Sequence, residues 1–76
     1  MQCIFEVRYE VQWESSEPTH WEAQAVKVCC GPDAQEAVDR ARKEALAQHM
    51  LDDNGRQQRC VGFRLREVAL LAEASL

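Results

Sequence analysis

The sequence predicts a small α+β domain in the order ββαβ, a three-stranded sheet with one helix packed on one face. Three observations carry that expectation. Cys3, Phe5, Val7, Tyr9, Val11 and Trp13 alternate with Ile4, Glu6, Arg8, Glu10 and Gln12, the longest period-two run in the chain, so one face of this strand is buried and the other is wet. Gly31, Pro32 and Asp33, with Glu36 three residues on, stop an extended segment and open one at helical spacing. Val61, Phe63 and Leu65 then alternate once more with polar or small residues.

Strand one is placed at Cys3 to Trp13. The stretch from Glu14 to His20 has Pro18, two serines and no apolar residue, and reads as a polar hairpin loop. It lies between Trp13 and Trp21. If these face each other, Val11 falls beside Ala23 and Tyr9 beside Ala25. The alternation then slips, because Val26, Val28 and Cys30 are the apolar members of the rest of the strand. A bulge near Ala25 and Val26 restores the facing, pairing Val7 with Val28 and Phe5 with Cys30. Strand two is therefore placed at Trp21 to Cys30.

The helix is expected from Asp33 to Leu51, with Ala34, Ala37, Val38, Ala41, Ala45 and His49 on its buried stripe. A stripe of small residues lets the helix axis approach a sheet whose own side chains are large. Asn54 and Gly55 suit a left-handed C-terminal cap. Strand three runs from Arg59 to Arg66, with Val61, Phe63 and Leu65 inward and Cys60, Gly62, Arg64 and Arg66 outward. Residues 67–76 fit either a strand to about Leu71 or a short C-terminal helix. A right-handed crossover through the helix makes strand three parallel to strand two and gives the order 2-1-3, with the first strand in the middle. Residues 1–76 are read as one domain.

At 76 residues, of which 46% are apolar and 29% charged, the chain has an ordinary globular composition near the lower size limit for independent folding. A partner or second copy would add buried surface. The net charge of -4 argues against a general affinity for nucleic acid or anionic membrane, because counterion release needs clustered cations. Residues 1–39 hold eight acids and two bases, residues 40–76 seven bases and five acids, a dipolar distribution suited to self-association or a protein partner. No apolar run reaches the length of a membrane span. The N-terminus enters the first strand without a leader pattern, so a cytoplasmic location is expected, and the cysteines Cys3, Cys29, Cys30 and Cys60 are read as reduced thiols.

No catalytic, cofactor-binding or metal-binding residues are expected. There is no C-x-x-C or H-x-x-x-H, adjacent strand residues Cys29 and Cys30 point to opposite faces, and no glycine-rich phosphate loop or nucleophile motif occurs. What remains is surface. Ile4, Glu6, Arg8, Glu10, Cys29, Arg64 and Arg66 are expected on the uncovered sheet face. Ile4, Cys29 and Leu71 gather at one end of it as an apolar corner suited to a homodimer or protein contact. Trp13, Trp21, His20 and His49 are expected to meet at the other end as a small pocket.

The leading expectation is thus a small non-catalytic interaction or regulatory module, including an acidic inhibitor from a mobile element as a variant suggested by Glu6, Glu10, Glu14, Glu17 and Glu22. An RNA- or ribosome-associated protein is the alternative, carried by the cations Arg56, Arg59, Arg64 and Arg66 with Arg40, Arg42 and Lys43. A cofactor-free enzyme comes third.

Overall fold

In the computed structural model, which describes residues 1–15 and 17–74, the opening alternation forms β1 (Gln2–Trp13). It is followed by β2 (Glu22–Cys30), α1 (Ala34–Leu46), β3 (His49–Leu51) and β4 (Gln57–Ala74). Ser16 of the hairpin loop and residues 75 and 76 of the terminal segment lie outside the described residues. The sheet has four strands in the order β2-β1-β4-β3, not three in the order 2-1-3. All its pairings are antiparallel. Among the described residues no helix is long and apolar enough to cross a membrane.

The fourth strand exists because the helix stops early. α1 ends at Leu46, not Leu51: the N–H of Ala47 turns back to the carbonyls of Lys43 and Glu44, both at 3.2 Å. His49, Met50 and Leu51 then pair with Arg59, Gln58 and Gln57. Asn54 and Gly55 therefore belong to a hairpin loop rather than a helix cap, and Gly55 alone takes the left-handed region there, at φ 76°. At the other helix end Asp33 accepts the Gln35 N–H at 2.9 Å. Glu36 does not close the box back onto Asp33, and pairs instead with Arg40 at 2.8 Å.

The β3–β4 loop is held by one carboxylate. Asp52 accepts from the Arg56 N–H at 2.8 Å, the Asn54 N–H at 2.9 Å and the Gln58 amide at 2.9 Å. These bonds, the Arg56 backbone bond foremost, hold its carboxyl below the ordinary value near 3.8. A folded pKa below the unfolded one means stability that is fully present above the unfolded value and lost as pH falls through the folded one. The Asn54 and Arg56 amide shifts are therefore expected to titrate in acid with a midpoint below 3.8. An NMR titration with a midpoint at or above that value would contradict the loop geometry.

β2 pairs with β1 in one unbroken register, from Cys3 opposite Cys30 to Val11 opposite Glu22. No bulge at Ala25 and Val26 is needed. Sliding the hairpin by one residue puts Val26, Val28 and Cys30 on the helix side directly, and moves Glu22 and Gln24 there too. Both find partners: the Trp13 indole N–H donates to Glu22 at 2.7 Å, and the Tyr9 hydroxyl donates to Gln24 at 3.1 Å.

The bulges lie in β4 instead, where register shifts against β1 occur at three places. The first leaves Cys60 opposite Trp13 and buried, with Val61 exposed, the reverse of the expected facing. Beyond it Phe63, Leu65, Val68 and Leu70 face inward, opposite Val11, Tyr9, Val7 and Phe5. The strand continues to Ala74, so residues 67–74 are not helical. The core consists of the inward residues of β1, Val28, Cys30 and Cys60, together with Ala37, Ala41 and Ala45 of the helix.

Candidate functional site

The face of the sheet opposite α1 is a field of paired charges. Along β1, Arg8 reaches Glu6 at 2.7 Å. Across to β4, Glu10 accepts Arg64 at 2.8 Å and lies 3.6 Å from Arg66, and the Arg64 bond holds the Glu10 carboxyl below its ordinary value. These contacts are exposed on the arginine side and each contributes little. They nevertheless occupy Glu6, Glu10, Arg64 and Arg66 with one another.

Trp21 lies on this same face. Its ring stacks under the Arg64 guanidinium at 4.3 Å and covers Gly62, where an added Cβ would come within 3.1 Å of both the ring and the Gln12 Cβ. Gly62 is thus a close-approach glycine. Gly62→Val is expected to push Trp21 off the sheet and cost about 1–3 kcal/mol by overpacking. Urea denaturation checks it, and an unchanged midpoint would mean that the ring is not seated there.

Ile4 and Cys29 are cross-strand neighbours, and Ala72 is the β4 residue opposite Ile4. Leu71 is the extra residue at the bulge between Ile4 and Phe5, half exposed at the same end. The Cys29 thiol donates to Gln2 at 3.7 Å. Trp13, Trp21, His20 and His49 are not brought together. Trp13 is buried on the helix side of the sheet, Trp21 is on the opposite face, and the two histidines are exposed. The physical reason is the one-residue shift of the hairpin, which sends the two tryptophans to opposite sides of the sheet.

Two features were not foreseen from the sequence. A shallow cleft of about 460 Å³ runs between β2 and α1, lined by Lys27, Val28, Cys29, Arg40, Lys43, Glu44 and Ala47. Its cations are partly used, since Arg40 bonds both Glu36 and the Cys29 carbonyl. The second feature is the outer edge of β4. Among the described residues β3 pairs only as far as Arg59, with one further bond from the Cys60 N–H to Gln48. Among the described residues, 61–72 have β1 on one side and no strand on the other. Val61, Leu65, Leu70 and Leu71 on this segment are 52%, 43%, 49% and 50% exposed. Their apolar run in the sequence was a signal of burial, although not of burial by another chain.

Cys3 and Cys30 face each other in the core and Cys60 is buried elsewhere in it. Among the described residues no three histidine, cysteine or acidic side chains converge as a metal site. No family model, curated protein or solved structure matches the chain.

Proposed function

We propose that the chain is a non-catalytic protein–protein interaction module that works through the rim and open face of its sheet. One observation carries this reading. Residues 61–72 of β4 form a long unpaired edge flanked by half-exposed leucines, and such an edge is a template for another chain. The charged face beside it favours protein over RNA: Arg64 and Arg66 are engaged by Glu10, and the Trp21 ring carries Arg64, so these two cations and this ring are already occupied. The same pairing argues against an acidic inhibitor, since Glu6 and Glu10 are neutralised within the sheet.

Native mass spectrometry of the protein isolated at low salt from its own cells tests the proposal. A bound protein or a second copy supports it. Co-purifying RNA, or a monomer with nothing bound at any concentration, overturns it.

A further inference from the structure

We infer that the occupant of the β4 edge is a second copy of this chain, joined across a two-fold axis that passes between Arg66 and Glu67. The inference rests on the interaction-module reading and names its partner. The length of the free edge brings the axis near the middle of β4, and the facing of the side chains selects its position. β3 blocks the edge up to Arg59 and β4 ends at Ala74, so an antiparallel copy of β4 fits only if it occupies the span that it also offers. The free span, residues 61–74, has its midpoint between Glu67 and Val68, and an axis one residue earlier, between Arg66 and Glu67, leaves residues 61–72 as the paired stretch. That stretch runs roughly 40 Å at about 3.3 Å per residue.

The side chains agree with that axis. The β1 register puts Phe63, Leu65, Val68 and Leu70 on the helix side and Arg64, Glu67 and Ala69 on the open side, and Arg66 reaches the open face at Glu10. With the axis between Arg66 and Glu67, Leu65 lies opposite the partner's Val68 and Phe63 opposite the partner's Leu70, apolar against apolar on the helix side. On the open side Arg66 lies opposite the partner's Glu67, and two-fold symmetry repeats this ion pair. Each pair joins residues that share a face, as antiparallel pairing requires. Shifting the copy by one residue would set helix-side residues against open-side ones.

A copy of the same strand also carries the same bulges, and therefore the same local twist, which a flat unrelated strand would lack. β2 offers no comparable edge: it carries the charge of Lys27, and no large apolar side chain on it is exposed among the described residues. The result is a continuous sheet through both copies with the two helices on one side and Leu65 and Leu70 of each copy between them.

Sedimentation equilibrium of the purified chain is expected to show a dimer. Leu65→Lys with Leu70→Lys, at positions already half exposed, should raise its dissociation constant by about 100-fold or more. Arg66→Glu sets like charges opposite each other twice and should weaken the dimer about tenfold, with Glu67→Arg added to it restoring the affinity. Register is read by cysteine pairs in a Cys29→Ser background. Arg64→Cys with Ala69→Cys should give a covalent dimer on mild oxidation, whereas Arg64→Cys with Ala72→Cys should not. Within one chain residues 64 and 69 are about 17 Å apart, beyond the ~7 Å a disulfide spans.

A dimer indifferent to the charge reversal and the lysines, or cross-linked by the wrong pair, overturns the inference. A monomer that captures a different protein in its native mass spectrum also overturns it while the interaction-module reading stands. Co-purifying RNA removes both.

Discussion

Trp13→Ala is expected to cost the chain about 3–5 kcal/mol of stability. Trp13 is buried at the last position of β1, opposite Cys60, and its indole N–H is bonded to Glu22 at 2.7 Å. Truncating a buried tryptophan costs about 3–5 kcal/mol through lost burial and the cavity left behind. A domain of 76 residues has only about 4–11 kcal/mol in total, at 0.05–0.15 kcal/mol per residue, so the loss consumes about a quarter of the stability or more. Trp13 also closes the open end of a core that the 13-residue helix is too short to cover along its whole length. Urea denaturation should show the midpoint falling by roughly 3 M, for a slope near ~1 kcal/mol/M. Trp13→Phe keeps most of the ring and loses the bond to Glu22, and should fall between. A shift under about 1 kcal/mol for the alanine variant would mean that the core does not extend to this end of β1.

The same tryptophan shows where sequence reasoning held and where it slipped. β1 was legible because every second residue from Cys3 to Trp13 is apolar and each is buried, so period and facing agree at every position. The helix stripe was legible for the same reason, through Ala37, Val38, Ala41 and Ala45. The β2 register was not, because pairing the two tryptophans treats aromatic residues as necessarily on one face. Tyr9 and Trp13 bring a hydroxyl and an indole N–H into the interior, and these need acceptors. Gln24 and Glu22 supply them, which makes two polar residues correct at inward positions where apolar alternation rejects them. β3 is three residues long, too short to show any period, and the loop after it contains the same Asn-Gly pair that can end a helix or turn a hairpin. In β4 three bulges interrupt the period, so Cys60 rather than Val61 turns inward. The expected pairings of Val7 with Val28 and Phe5 with Cys30 fail with the β2 register, since the unbulged strand sets Val7 opposite Val26, Phe5 opposite Val28 and Ile4 opposite Cys29. The order 2-1-3 already left the last strand with a free edge, and what was not legible is that β3 covers only residues 57–59 of that edge, because a strand of three residues shows no period.

Ala41→Leu is expected to destabilise the fold by about 1–3 kcal/mol, although it replaces one apolar helix former with another. Ala37, Ala41 and Ala45 have no exposed surface at all, and they form the side of α1 that lies on the sheet. Small side chains there set the distance between helix and sheet, and the volume that would otherwise be empty is filled from the sheet by Phe5, Tyr9 and Trp13. Three added carbons at Ala41 must lift the helix or rotate those aromatics out of their rotamers, because a close-packed interior has no reserve volume. Lys43→Leu, on the exposed side of the same helix, controls for propensity and should change stability by no more than ~0.5 kcal/mol. Ala41→Gly should also destabilise, by about 1 kcal/mol, through backbone entropy alone. Thermal or urea denaturation of the three variants therefore tests a size optimum. If Ala41→Leu were as stable as the parent, the helix would have to stand further from the sheet than the complete burial of these alanines requires. The inward face of β4 would then be free to close over Leu65 and Leu70 from within the chain, removing the reason for a second copy to cover them.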